Sequence, residues 1–462
     1  MLIIISDLHL SDGTSGKTIS PNAFRIFRER VRDMAYEASW RTNGDGIRYY
    51  KPIEKIDIIL LGDILDIIRS RKWIDENHNI RPWDSPQDQQ YQELVLQINR
   101  DILSENTESL GILRQMSQPQ PHNKGAITLP RANARKLPAR VGVKDDAKGR
   151  LRIPVNLHYM VGNHDWFYHL PGEAYNQLRK EVVDACGLAN DPKKPFAHEI
   201  EECPVLQEIC LSHRVYVRHG DIFDKFNFDK KKGRDAATLG DAIVIELLNR
   251  FPLEVRIKLG DRLPKACAEG LNELDNVRPL PFIPLWINGL LNRTCQDEEI
   301  REEIKDIWNE LARKFVKLPF VRQYDTLSPL DKFDKLEIGL YITRKLSFKT
   351  IGKLINLVQG NPDATDTYLE QALKEPAWDN EDVKFVVYGH THHAEMAPID
   401  SSDTRHQIYF NSGTWRQVHE ITRARRRDQK FYGFQVMTYI GFFKEGERKG
   451  RHFEFWSGAL GE

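Results

Sequence analysis

The feature that most constrains this chain is a short apolar run, rich in β-branched residues, that ends repeatedly in a polar turn. Leu2 to Ile5 leads into Ser6-Asp7, Ile56 to Leu61 into Gly62-Asp63, and Val155 to Val161 into Gly162-Asn163. Val215 to Val217 leads toward His219-Gly220-Asp221, and Phe385 to Tyr388 into Gly389-His390. These runs have strand length but do not alternate strictly between apolar and polar residues. That pattern predicts strands covered on both faces, in an α/β or sandwich core. Open α/β sheets collect their chemistry at strand ends, so the turns are where function is expected.

At 462 residues the chain can bury one large core or two. Two segments break the strand-and-turn rhythm. Asn123 to Arg152 is rich in Gly, Pro, Lys and Arg and reads as a basic loop. Phe226 to Asp379 reads as mainly helical, because Ile300, Ile304, Ile307, Trp308, Leu311 and Phe315 recur at helical spacing. Thr294 with Asp297 is the expected capping box at the start of that pattern. The predicted organisation is a first part of the core over residues 1–225, a helical insert or cap over 226–379, and a C-terminal part of the core over 380–462. The proline-punctuated stretch Pro279 to Leu291 suits either core packing or an apolar substrate wall.

Composition narrows the class. Lys plus Arg equals Asp plus Glu at 67 each, so the whole molecule lacks the positive field of a non-specific nucleic-acid coat. The cysteines, Cys186, Cys203, Cys210, Cys267 and Cys295, include no C-x-x-C pair, which argues against a disulfide framework and against a thiolate zinc site. The apolar run before Asp7 is too short for the core of a signal peptide, and no later stretch nears the roughly 18 apolar residues of a spanning helix. A cytoplasmic protein is expected, with peripheral contact at a membrane surface left open.

In order, the strand-end turns spell Asp7-Leu8-His9, Gly62-Asp63, Gly162-Asn163-His164-Asp165, His219-Gly220-Asp221 and Gly389-His390-Thr391-His392. Carboxylate and imidazole donors without sulfur suit Mn, Fe or Zn, whereas an all-oxygen set would suggest Mg or Ca. In Asp7-x-His9 and His390-x-His392 the side chains are two residues apart, so at an extended strand end they point to one side and chelate together. Glycine beside Asp63, Asn163, His219 and His390 permits tight turns and close backbone approach. A lone histidine after a strand is usually structural; it is the ordered set that defines a metal site. Asp12, Asp66, Asp221 and Asp224 stand near the motifs as candidate partners for ligand imidazoles. His158 and His213 read as core or edge residues, and His393 as an outlying neighbour of the last motif.

This order of motifs resembles the calcineurin-like metallophosphoesterases, whose blocks run D-x-H, G-D, G-N-H-[D/E], H and G-H-x-H. The resemblance spans Asp7 to His392 but not the helical insert. It implies an α/β fold of two sheets flanked by helices, an αββα sandwich. It also implies two divalent metal ions, manganese first, with iron or zinc as alternatives. One ion would be held by Asp7, His9 and His392 and the other by Asn163, His219 and His390, with Asp63 bridging. The implied reaction is hydrolysis of a phosphoester or phosphoanhydride by a metal-bridging hydroxide, because paired cations acidify a shared water and neutralise the phosphoryl group. His164 would stabilise or protonate the leaving oxygen, and Asp165 would fix its tautomer.

Departures from subfamily patterns narrow the substrate. Isoleucine at Ile67, where the protein Ser/Thr phosphatases of this superfamily carry an arginine in G-D-x-V-D-R-G, together with Asp165 in place of glutamate, argues against a phosphoprotein phosphatase. Ser6-Asp7-Leu8-His9-Leu10 and Gly62-Asp63-Ile64-Leu65-Asp66 look more like bacterial UDP-2,3-diacylglucosamine pyrophosphatases. The expected substrate is then a phosphorylated small molecule or a lipid-linked nucleotide. The alternative is a nuclease or other phosphodiesterase similar to the SbcD group, acting on nucleic acid through basic clusters. Those clusters are the Asn123 to Arg152 loop, Lys230-Lys231-Lys232-Gly233-Arg234 and Arg423-Ala424-Arg425-Arg426-Arg427. A third reading is a non-catalytic scaffold that binds metal without turnover.

Overall fold

A computed structural model describes residues 1–42, 45–119, 124–131, 150–278, 282–325, 364–401, 406–421 and 431–460. Most of the Asn123 to Arg152 segment, the Arg423 to Arg427 cluster and Pro279 to Pro281 lie outside the described residues. The runs read as strands are strands: β1 (Leu2–Ile5), β2 (Ile56–Leu61), β3 (Val155–Met160) and β4 (Val215–Val217). They are followed by β5 (Val277–Arg278), β6 (Phe385–Tyr388), β7 (Ala394–Ser401), β8 (His406–Ser412), β9 (Gln417–Ile421), β10 (Phe431–Phe442) and β11 (Phe453–Ala459).

The chain is mixed α/β. One sheet runs β3-β2-β1-β10-β9-β5, with β11 also paired to β10; β1, β2 and β3 are parallel, and β10 is antiparallel to β1. The other runs β7-β8-β6-β4, with β4, β6 and β8 parallel. Side-chain alternation explains why the sequence runs do not alternate in polarity. Leu2, Ile4, Ile59, Leu61 and Met160 meet Val215, Val217, Val386 and Phe410 of the second sheet in one apolar cluster. Ile3, Ile5, Ile58, Leu60, Leu157 and Tyr159 point the other way, into a cluster shared with helices. Both faces of β1, β2 and β3 are thus covered by apolar side chains.

Helices α1 (Pro21–Ala38), α2 (Gln89–Glu105), α3 (Thr107–Ser117) and α4 (Glu173–Cys186) contribute buried residues to that second cluster. In α1, Ser20 caps the first turn by accepting from the Asn22 N–H, and Phe24 and Phe27 pack on Trp415 with ring centroids 5.3 and 5.1 Å apart. Helix α5 (Pro204–Ser212) sends Leu206, Ile209 and Cys210 into the cluster of the second sheet.

The segment 226–379 is more than a helical layer. Its strand β5 pairs in parallel with β9, His419 opposite Val277, and so extends the first sheet. Helices α6 (Arg250–Leu259), α7 (Ile283–Thr294) and α8 (Glu298–Phe315) share one apolar cluster with α1 and β1. The periodic residues from Ile300 to Phe315 are all buried in α8. Its cap is Asp297 alone, whose carboxylate accepts from the Glu299 and Ile300 N–H groups; Thr294 instead ends α7, its hydroxyl turned back to the Leu290 carbonyl. The described part of the Pro279 to Leu291 stretch packs inward, with Ile283, Trp286, Leu290 and Leu291 buried, so those side chains form core rather than a wall for substrate. The cysteines are free thiols, four of them buried. Among the described residues no helix is long and apolar enough to cross a membrane.

One buried histidine gives the fold a defined acid sensitivity. His213, after α5, bonds the Ile209 carbonyl oxygen through Nδ1 at 2.8 Å, while its Nε2 is buried without a partner. Burial, reinforced by the N-terminal amine, lowers its pKa from 6.5 to about 3. The unfolded chain therefore takes up this proton first, and stability is lost as pH falls from 6.5 toward 3. At pH 5 the site is expected to cost about 2 kcal/mol. Urea midpoints measured at about pH 7.5 and about pH 5 should differ less in His213→Gln than in the natural chain; an equal difference would remove this explanation.

Candidate metal centre

The turns after β1, β2, β3, β4 and β6 come together where the two sheets meet. They are stitched through the backbone: the Asp7 N–H donates to the Gly62 carbonyl at 3.1 Å, and the His9 N–H to the Asp63 carbonyl at 2.8 Å. Asp7, His9, Asp63, His390 and His392 all have left-handed backbone, with φ of 52°, 45°, 54°, 69° and 63°. Only three other non-glycine residues among those described share that conformation, Arg214, Arg448 and Lys449. Left-handed backbone at a residue bearing a side chain costs on the order of 1–3 kcal/mol and persists only where the surroundings impose it. The glycines are needed for space. A Cβ on Gly62 would lie 2.5 Å from His219 Nδ1, and one on Gly162 would lie 2.7 Å from His219 Nε2.

The side chains of all seven expected ligands converge. Donor atoms of Asp7, His9 and His392 lie within 4.8 Å of one another, as do those of Asp63, His219 and His390. His9 Nε2 and His392 Nε2 are 2.9 Å apart, with Asp7 Oδ1 3.8 and 3.6 Å from them. Asn163 Oδ1 is 3.2 Å from His219 Nε2 and 2.9 Å from His390 Nδ1. Asp63 stands between the groups, its Oδ2 3.7 Å from His9 Nε2 and 3.3 Å from His219 Nε2.

Partners on the far side of three rings fix which nitrogen faces inward. His9 Nδ1 meets Asp66 Oδ2 at 2.8 Å, His219 Nδ1 meets the Leu61 carbonyl at 3.0 Å, and His390 Nε2 meets Asp224 Oδ2 at 3.2 Å. A proton held outward leaves the lone pair of the opposite nitrogen pointing into the site, the arrangement ligating histidines adopt. Burial raises the pKa of the Asp7 carboxyl, while Asp63 is held well below the usual range because the His219 and His164 imidazoles outweigh its burial. Buried carboxylates and inward lone pairs without sulfur form a donor set that fits divalent Mn, Fe or Zn.

Next to the ligands, His164 is oriented by Asp66. His164 Nδ1 lies 2.8 Å from Asp66 Oδ1, and its ring meets that of His9 edge-on at 4.8 Å. Burial disfavours its charge, but Asp66 and Asp63 outweigh this and raise its pKa to about 10. This corrects the role expected for Asp165. Its carboxylate accepts from the Gly162 and Ile64 N–H groups at 2.6 and 3.0 Å and from the Tyr159 hydroxyl at 2.7 Å, so it pins the loop backbone rather than the His164 ring.

The remaining nearby acids and histidines divide. Asp66 and Asp224 hold the rings of His9 and His390, whereas Asp221 pairs with Arg234 and Asp12 accepts from Thr14 and Ser70. His393 faces Glu420 at 3.1 Å, and His158 faces Asp57 at 3.7 Å, both away from the ligand set.

The motifs gave no hint of an arginine group beside them. Arg278 Nη2 donates to His392 Nδ1 at 2.9 Å and its Nη1 to the Asp275 backbone carbonyl, while Arg69 and Arg416 pair with the Asp275 carboxylate. Burial would raise that carboxyl, yet the arginines hold it far below its usual range. Arg278 is 114 residues from its partner His392. No protein-family model matches the chain, and the search of curated proteins finds no match.

Gly162→Ala should displace the Asp63 and His219 side chains and lower the divalent metal retained after dialysis, read by elemental analysis. Metal at about 100 times its Kd should stabilise the natural chain by about 2.7 kcal/mol and the variant by far less. Equal metal content and equal stabilisation would show that these groups do not form a metal centre.

Proposed function

We propose that this chain is a binuclear metallophosphoesterase of the calcineurin-like kind, built on an αββα sandwich, that hydrolyses a phosphoester or phosphoanhydride. The observation that carries this reading is the convergence of seven side chains from five strand ends, five of them on left-handed backbone. Asp7, His9 and His392 would hold one divalent ion and Asn163, His219 and His390 the other, with Asp63 between them; manganese is the first choice and iron or zinc the alternatives. Bound cations supply the positive charge that lets an anionic phosphoryl group accept a nucleophile, and they acidify water.

The chain's own residues supply the rest. With Nδ1 held by Asp66, His164 keeps Nε2 for the leaving oxygen, to which it gives a proton. Asp165 keeps the loop that carries Asn163 and His164 in shape. Arg278 contributes charge. A ring that ligates through Nε2 carries its proton on Nδ1, and two donors cannot share that contact, so Arg278 would turn from His392 toward substrate oxygens. Three arginines gathered at Asp275, two paired with its carboxylate and Arg278 held by its backbone carbonyl, favour a substrate with more than one negative charge, such as a phosphoanhydride, over a diester.

The nuclease reading loses part of the basic surface it rests on. In the Lys230 to Arg234 cluster, Arg234 pairs with Asp221 and Glu199, and Lys232 lies 4.5 Å over the Phe320 ring.

The test is hydrolysis by the manganese-loaded protein of aryl mono- and diesters, nucleotide diphosphate sugars with and without acyl chains, cyclic nucleotides, and single- and double-stranded DNA, with Asp63→Asn beside it. Turnover of an ester or anhydride that the variant lacks is expected; no turnover of any of them, or equal turnover by Asp63→Asn, would refute the reading. His164→Ala should keep its metal and lose about 10²- to 10⁴-fold in kcat, and parallel loss of metal would make His164 a ligand instead. Arg278→Ala should raise KM for an anhydride at least about tenfold, the worth of one charge-assisted hydrogen bond, while changing KM for a small diester little. An equal rise on both would count against a charge-reading role.

A further inference from the structure

A second convergence of ligating side chains lies outside this centre. His169 ends the short helix Trp166–His169, directly beyond the Gly162 to Asp165 turn; His198 precedes the short helix Ile200–Glu202; Asp235 follows the basic run that begins at Lys230. His169 Nδ1 and His198 Nε2 both point at one atom, Asp235 Oδ1, at 2.8 and 3.0 Å. The two rings stand 4.3 Å apart, and the three donor atoms lie within 4.8 Å of one another. The donor atoms of His9, His392 and Asp7 fall within the same 4.8 Å limit.

We propose that His169, His198 and Asp235 form a further divalent transition-metal site, with zinc the best-suited ion, separate from the candidate binuclear centre. Two imidazoles and one carboxylate leave a fourth tetrahedral position for water, a donor set zinc takes readily. Asp235 is 40 % exposed in its side chain and His198 only 4 %, so solvent reaches the site from one side while the rest is enclosed.

An outer carboxylate completes the arrangement. Glu202 Oε2 accepts from the His198 backbone N–H at 2.7 Å and faces the outward nitrogen of His169, Nε2, at 3.6 Å. It therefore anchors the backbone of one proposed ligand by a hydrogen bond and sets a negative charge beside the ring of the other. A plain ion pair accounts for His169, which lies between two carboxylates that outweigh its partial burial and raise its pKa to about 9. It does not account for His198. Burial and the Arg234 charge keep that ring neutral, with its pKa lowered to about 4, and its Nδ1 is buried without a partner. A neutral imidazole enclosed in this way, with only Nε2 engaged, is a ligand-ready group.

A metal at this position would tie three stretches of chain together: the segment leaving the His164 turn, the segment before α5, and the start of the 226–379 segment. No residue of the set belongs to the candidate binuclear centre, so the two sites stand or fall separately.

Zinc bound per chain, measured by elemental analysis after equilibrium dialysis, tests the site. His198→Ala and Asp235→Asn should each bind one equivalent less than the natural chain, whereas both should match it in their loss on adding Asp63→Asn. Should His198→Ala fail to fold, Asp235→Asn carries the comparison, since it alters a half-exposed position; melting in chelator confirms its fold. Glu202→Gln should keep the site and weaken zinc binding about 10- to 100-fold. Cobalt added to the Asp63→Asn chain should give a tetrahedral absorption band that Asp235→Asn abolishes. Equal zinc content in the natural chain and both ligand variants, with no difference in the cobalt spectrum, would overturn the proposal and leave an ion-pair network.

Discussion

Asp63 is the point on which the rest of the structure turns. Its carboxylate is 1 % exposed, its Oδ2 lies within 4 Å of ring nitrogens from His9 and His219, and its Oδ1 accepts the His164 N–H at 2.8 Å. A buried carboxylate is tolerated only when hydrogen-bonded, paired or bound to a cation. The turns after β1, β2, β3 and β4 are arranged to satisfy that demand, and the left-handed backbone at Asp7, His9 and Asp63 follows from it. The apolar clusters on both faces of the first sheet supply the rigidity that keeps this strained backbone in place.

A consequence is that the site cannot be separated from the packing around it. Glycine at Gly62 and Gly162 lets the His219 ring lie against the neighbouring turns, and the sheets meet closely enough for the Ser6 hydroxyl to reach Ser412 at 2.6 Å. The 226–379 segment is joined to the same unit from the opposite side. Strand β5 aligns with β9, and Asp275 just before it draws in Arg69 from the β2 side and Arg416 from the approach to β9. Arg278 thereby stands beside His392 because of sheet pairing rather than because of any motif.

The reach of sequence reasoning follows the range of the interactions involved. The converging side chains were legible because each belongs to a motif of two to four residues fixed to a strand end, and the strands were legible because burial on both faces writes itself as an unbroken apolar run. The cap of α8 was misjudged by three residues, since Thr294 and Asp297 are both good caps and only the path of the chain out of α7 decides between them. Asp165 was misjudged because adjacency in sequence suggested contact with His164, whereas the turn directs its carboxylate back onto its own backbone.

By itself, then, the amino-acid order settled the α/β class, the strand positions and the residues able to ligate a cation, all properties of local pattern and side-chain chemistry. Tertiary structure alone decided that Asp66 serves two histidines, that three arginines gather around Asp275, and that His169, His198 and Asp235 meet. Apart from Arg278, which is three residues from Asp275, those contacts join residues tens to hundreds of positions apart. Their geometry is set by how sheets and helices pack, a property that no short stretch of sequence carries.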